Sequence, residues 1–194
     1  MTTRERLLSA ALRLFNEKGY EHTSVTDIRE VAEVSNGSFF HAFPSKEALC
    51  AELYLHTLAQ YHESVLRQLS PEPSAEEGIA MMLRAHIRWV TRERSQARFL
   101  FEQSTTSWKP PVRKRQQQVN EKLRKGIGAW AQPFMDAGIL RQLAPAVFAA
   151  QLIGPTQLIC RSWLAGRPHS DPRKFEDELI AAAERALLVN PEPG

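Results

Sequence analysis

Apolar residues recur every three to four positions along almost the whole of this chain, and that periodicity settles most of what it can fold into. In residues 3–18, Leu7, Ala11, Leu14 and Phe15 fall on one face, with Leu8 and Leu12 beside it. An α-helix turns once in about 3.6 residues, so side chains at this spacing form a single stripe that has to be buried. Convincing alternation of period two is absent, and Asn36-Gly37 is not flanked by β-branched runs. The expected fold class is all-α.

Capping residues and breakers divide the pattern into about nine helices. Thr2 and Glu5 form a capping box before the first helix, and Gly19 is placed to stop it. Ser24 caps a helix over 25–32, with Asp27 in its first turn, and Ser35 caps one over 36–41 that Pro44 ends. A fourth helix runs from Ser45 to about 68, before the break Ser70-Pro71-Glu72-Pro73-Ser74. Ser74 and Glu77 form a second capping box for a helix over 75–93. Further helices are expected over 95–105, 111–136, 145–165 and 172–188, the last opened by Asp171-Pro172, with a frayed tail at 191–194. The expected organisation is a three-helix head, residues 1–46, followed by a larger helical bundle, residues 47–194.

Of the 194 residues, 43% are hydrophobic, enough for a sizeable core, yet no apolar run approaches the roughly 20 residues needed to span a bilayer. The N-terminus leads straight into an amphipathic helix with no secretory signal pattern, so the expectation is a cytoplasmic protein that does not engage membranes. Cys50 and Cys160 lie far apart and offer no metal-ligand spacing; two reduced, partly buried thiols are expected. No zinc-protease, nucleophile-elbow or phosphate-loop motif is present, so neither an enzyme nor a cofactor is expected.

The segment from Thr23 to Leu49 carries the functional signal. Two short helices separated by three or four residues fit a helix-turn-helix, a unit that lays its second helix in the DNA major groove. Ile28, Val31, Val34, Phe39 and Phe43 would hold the unit together, leaving Ser35, Asn36, Ser38 and His41 on the free face. Thr26 and Ser35 stand at helix starts, where unpaired backbone N–H groups favour a phosphate oxygen. Gly37 lets the backbone approach the groove wall closely. Asn36 and Ser38 suit base edges, and His41 and Lys46 suit phosphates. Charge alone does not point this way: residues 1–50 hold six Lys/Arg and seven Asp/Glu, a net of −1.

The same stretch resembles the TetR/AcrR family of bacterial regulators. The resemblance rests on Ala11 to Tyr20 (Ala-x-x-Leu-Phe-x-x-Lys-Gly-Tyr), Thr23 to Ile28, Val34-Ser35-x-Gly37, and Phe43-Pro44-Ser45-Lys46-Glu47-Ala48-Leu49. It implies phosphate contacts from Thr26, Ser35, His41 and Lys46, and groove contacts from Asn36, Gly37, Ser38 and Phe39 or Phe40. It also implies double-stranded DNA as partner and a repressor released from a palindromic operator by a small-molecule effector. Three positions depart from the family pattern. Phe40 stands where tyrosine is common, Asn36 where lysine or arginine is frequent, and Glu33 where glycine is common. The first two predict a shallower salt dependence of DNA binding.

The rest of the chain matches that family only in length and helix layout. Family analogy places an effector pocket there, for which Tyr61, His86, Trp89, Phe99, Gln103, Trp130, Phe134, Gln157 and Cys160 are candidates, and the effector expected is small and apolar or amphipathic. Polar groups among apolar ones, such as Gln103, Thr156 and Gln157, need partners that a ligand or the backbone would provide. Arg84, Arg88 and Arg92 share one helix face, either solvated or lining a site for an anionic effector. Residues 109–125 carry seven Lys/Arg against Glu121 alone. The eighth and ninth helices, rich in small residues such as Ala149, Ala150, Gly154, Ala182 and Ala183, are where the resemblance implies homodimerisation. A DNA-binding protein governed by a protein partner, with no small-molecule input, is the competing reading.

Overall fold

The computed structural model of the chain describes residues 1–69, 74–104 and 106–189. The expected break at 70–73, the tail at 191–194, and Thr105 at the expected end of the sixth helix lie outside them. Among the described residues the secondary structure is helical: α1 (Thr3–Lys18), α2 (Val25–Ala32), α3 (Asn36–Ala42), α4 (Lys46–Leu66), α5 (Ala75–Arg92), α6 (Arg94–Gln103), α7 (Pro110–Asp136), α8 (Pro145–Leu164) and α9 (Glu176–Leu187). The capping boxes form as expected. Thr2 Oγ1 accepts from the Glu5 N–H at 3.2 Å while Glu5 Oε2 accepts from the Thr2 N–H at 2.8 Å. Ser74 and Glu77 repeat the exchange, with both bonds at 3.2 Å. Gly19 stops α1 at φ 83°, its N–H donating to Phe15 O. The Asp171-Pro172 pair differs from expectation. It opens a 3-10 turn over Pro172–Phe175, and α9 begins only at Glu176.

By packing, the chain divides into two compact units, residues 1–59 with 93–116, and residues 60–92 with 117–194. The first unit thus holds α1, α2 and α3 together with the first turns of α4, all of α6 and the start of α7. In the first unit, Leu7, Leu14 and Phe15 of α1, Ile28 of α2, Phe39 of α3 and Leu49 and Leu53 of α4 are all buried, and α1 packs on α2, α3 and α6. Phe99 of α6 joins this core, its ring 5.9 Å from that of Phe15. Each such side chain contributes about 1.5–3 kcal/mol when fully buried.

The second unit has its own core. Ile79, Met82 and Leu83 of α5 pack with Phe148 and Leu152 of α8 and with Ile180, Ala183 and Leu187 of α9. Trp130 of α7 comes so close to α5 that a Cβ on Gly78 would overlap its indole ring, so this contact depends on glycine. Leu140 and Leu188 form an isolated bridge that ties the end of α9 to the chain before α8. No described helix is long and apolar enough to cross a membrane.

Candidate nucleic-acid interface

The helix-turn-helix is α2, a tight turn and α3. Ser24 and Asp27 cap α2 reciprocally, with Asp27 Oδ2 accepting from the Ser24 N–H at 2.8 Å. Those Ser24 hydrogen bonds hold the Asp27 carboxyl below the usual carboxylate range. Glu33 ends α2 in the left-handed region, φ 53° and ψ 50°. The Glu33 N–H bonds Glu30 O at 3.2 Å and the Val34 N–H bonds Arg29 O at 3.0 Å, the paired bonds of a Schellman motif. Glycine suits such a position and glutamate does not, which explains why glycine is common there in the family pattern. Arg6 Nη1 donates to Glu33 O at 3.3 Å and helps hold the turn.

Ser35 then caps α3, its Oγ accepting from the Ser38 N–H at 3.1 Å and lying 2.9 Å from Ser38 Oγ. Ser35, Asn36, Gly37, Phe40 and His41 are exposed, as is Thr26 near the start of α2, and Ser38 is half-buried. Seven residues make only two turns, and a single face of them is free. Phe39 is on the other face, 0% exposed and packed against Phe43, whereas Phe40 is 50% exposed. Phe39 is thus a core residue, and of the two only Phe40 presents its ring at the surface. Gly37 has open space around it, so nothing within the chain itself requires a glycine there.

Lys46 departs most from expectation. Its ammonium donates to Tyr20 O and to Thr23 O, both at 2.9 Å, and lies 4.2 Å from the centre of the Tyr20 ring. These bonds occupy two of its three donors on carbonyls of the α1–α2 link. The sequence pattern marks the position but does not show that its charge is turned inward. Thr23 is a further residue whose role the sequence hid: it is buried, and its hydroxyl donates to Gly19 O at 2.8 Å.

The candidate effector residues separate into two groups. Tyr61, His86 and Trp89 come together in the second unit. The Tyr61 hydroxyl lies 2.7 Å from His86 Nδ1, and its ring is 4.9 Å from that of Trp89. Burial pushes the Tyr61 hydroxyl pKa up and that of His86 down to about 4, so both are neutral at physiological pH. Phe134 pairs with Trp130 at 5.5 Å in the same unit, Cys160 is buried, and Gln157 is half-buried. Phe99 and Gln103 belong instead to the first unit. There Phe99 is core, and Gln103 Oε1 accepts from the Thr106 hydroxyl at 3.1 Å and lies 4.0 Å from Cys50 Sγ. Burial raises both thiols to about 12. An open depression of about 260 Å³ in the head is lined by Arg6, Arg13 and Glu33, not by any of these candidates.

The basic clusters are less bare than the sequence indicates. Lys109 pairs with Glu47 at 2.8 Å and Arg115 with Glu52 at 2.9 Å, partners more than sixty residues away that a local charge count misses. Arg124 and Lys125 share Glu121. Arg84 pairs with Glu176 at 3.1 Å, while Arg88 and Arg92 are exposed. No described group of His, Cys, Asp or Glu is arranged to hold a metal ion.

Residues 7–53, which contain this whole unit, match the profile of bacterial regulatory proteins of the tetR family. These residues are thus a tetR-type DNA-binding head. It is 39% identical over 80 residues to the HTH-type transcriptional regulator TcmR of Streptomyces glaucescens, covering 41% of this chain and 34% of that protein. The chain spans no more than about half the length of the curated relatives it matches, and those relatives are regulators rather than enzymes. The fold extends further than the sequence likeness. A tetR-family regulatory protein from Rhodococcus RHA1 superposes with a TM-score of 0.82 at 19% identity, over 98% of this chain and 100% of that one. The Bacillus subtilis regulator FadR, in complex with stearoyl-CoA, does so with a TM-score of 0.76 at 16% identity, over 92% and 96%.

Proposed function

We propose that this chain is a cytoplasmic homodimeric repressor of the tetR family that reads a palindromic operator through α3. The observation that carries this is the free face of α3. Asn36, Gly37, Ser38, Phe40 and His41 stand on a helix whose start is capped by Ser35 and whose other face is locked by Phe39. Asn36 and Ser38 offer hydrogen bonds to base edges, Phe40 an apolar contact for a thymine methyl, and Thr26, Ser35 and His41 contacts to phosphate. Lys46 contributes mainly by fixing the α1–α2 link.

Residues 47–194 would serve dimerisation and effector binding. Exposed apolar residues on α8, Val147 at 45% and Leu158 at 64%, support self-association through α8 and α9. Two-fold symmetry then demands matching half-sites about one helical turn or more apart. The effector would be small and apolar or amphipathic, bound around Tyr61, His86 and Trp89. The complex of FadR with stearoyl-CoA lends that class support. Its binding would favour a conformation unable to engage both half-sites, which requires several kcal/mol of preference between the two states.

Footprinting on the DNA upstream of the chain's own gene tests the core of this reading. Two protected half-sites related by a dyad are expected. Absence of a two-fold symmetric footprint at any salt concentration, there or on duplexes selected from a random pool, would overturn it.

A further inference from the structure

We infer that Glu52 is a positioning residue for DNA recognition, through which the first two turns of α7 hold the recognition helix in place. The inference rests on α3 being the DNA-reading element. The end of so short a helix leaves carbonyl groups without partners inside it. Here Arg4 of α1 supplies one: its Nη1 donates to Ala42 O at 3.4 Å, and its guanidinium lies 4.5 Å from the centre of the Phe43 ring. The other end of the same guanidinium, Nη2, lies 3.1 Å from Glu52 Oε1. The second carboxylate oxygen, Oε2, accepts from Arg115 Nη1 of α7 at 2.9 Å. One carboxylate thus joins α3's support to α7.

The surroundings keep that carboxylate where both arginines need it. Glu52 has a side chain only 25% exposed. Burial raises its pKa, but hydrogen bonds from Arg115 and Arg4 prevail and hold it below the usual range. The start of α7 is fastened to α4 on either side. Lys109 pairs with Glu47 at 2.8 Å, Gln116 Nε2 donates to the Tyr54 hydroxyl at 2.8 Å, and the Trp108 ring lies 5.2 Å from that of Tyr54. A lone exposed ion pair contributes little, but several charges sharing one ordered carboxylate form a network. Turning the Glu52 side chain breaks both arginine contacts at once. Arg115 therefore acts on α3 without touching it, since Glu52 and Arg4 lie between.

Glu52→Gln, Arg115→Gln, the double variant and Arg115→Lys are compared in the full chain. The probe is a duplex that the wild-type protein selects from a random-sequence pool. Each single glutamine variant is expected to weaken binding on the order of threefold to tenfold, and the double variant no more than the stronger single one. Arg115→Lys retains most of the affinity, and the slope of log affinity against log salt does not change. The melting temperature of Arg115→Gln shifts by no more than about 3 °C, which separates positioning from general instability. Wild-type affinity in Arg115→Gln, additive losses in the double variant, or a salt slope shallower by about 0.9 would each overturn the inference, the last because Arg115 would then touch a phosphate itself. A wild-type chain that selects no duplex would overturn the reading of α3 instead.

Discussion

Lys46 Nζ lies 2.9 Å from Tyr20 O and 4.2 Å from the centre of the Tyr20 ring, so one cation closes both the end of the α1–α2 link and the face of its aromatic residue. The Thr23 carbonyl takes a second bond from the same ammonium. Replacing Lys46 with Met keeps the stem and removes both bonds. Urea denaturation is expected to show a loss of about 2 kcal/mol. The salt slope of DNA binding is expected to change by less than about 0.5, since a lysine engaged on two carbonyls is not a full phosphate contact. A change near one unit with unaltered stability would return Lys46 to the phosphate backbone.

Glu33 occupies the left-handed conformation at a cost of about 1–2 kcal/mol relative to glycine. Glu33→Gly relieves that cost but makes the unfolded chain more flexible, so a net gain of about 1 kcal/mol is expected. Thermal melts of the two proteins decide it. A destabilised variant would mean that the glutamate side chain makes up for its backbone.

Asn36 and Phe40 are exposed on α3, so changing them leaves the core intact. Asn36→Lys is expected to steepen the slope of log affinity against log salt by about 0.9, the signature of one added phosphate contact. Phe40→Tyr adds only a neutral hydroxyl, which strengthens binding without releasing a counterion, so of the two departures from the family pattern only Asn36 bears on the slope. Titrations across a salt series measure both. If neither variant changes affinity or slope, this face of α3 does not meet DNA.

His62 and His86 are both held neutral, because burial lowers each to about 4 from an ordinary value of 6.5. The unfolded chain therefore takes up protons below pH 6.5 that the folded chain refuses. Stability is complete above that pH and falls as the pH drops toward 4, by up to about 1.4 kcal/mol per pH unit for each histidine. Denaturation at stepped pH should show this loss. His62→Asn and His86→Asn should each flatten the profile, even where they lower stability at pH 7.

Gly78→Ala tests the approach of α7 to α5. Alanine improves helix propensity by about 1 kcal/mol, yet its methyl group meets the Trp130 ring. Overpacking typically costs 1–3 kcal/mol, so a net loss of about 1 kcal/mol and altered tryptophan fluorescence are expected. Gly78→Ala combined with Trp130→Phe should recover part of it.

The helix boundaries were legible because local chemistry sets them. Ser24 with Asp27, Ser74 with Glu77 and Gly19 act within a few residues, and the apolar stripes of α1 and α2 follow from helical spacing alone. Asp171-Pro172 misled because the same residues that open an α-helix also open a 3-10 turn. Phe39 and Phe40 are neighbours about 100° apart on a helix, so which one is buried depends on how α3 packs. Glu47 and Glu52 meet Lys109 and Arg115 across more than sixty residues, and no local charge count anticipates that. Phe99 and Gln103 share apolar or amide chemistry with the effector candidates, yet packing assigns them to the other unit.

Cys50 and Cys160 are free, buried and raised to about 12, so neither carries an appreciable thiolate population at neutral pH. Maleimide reagents are therefore expected to leave the folded native chain unlabelled. A Glu21→Cys substitution at an exposed position in the head would provide the only thiol that takes a spin label. In a two-fold pair of chains, the distance between two such labels is a ruler for head separation, readable with and without a candidate small molecule and with no native cysteine replaced.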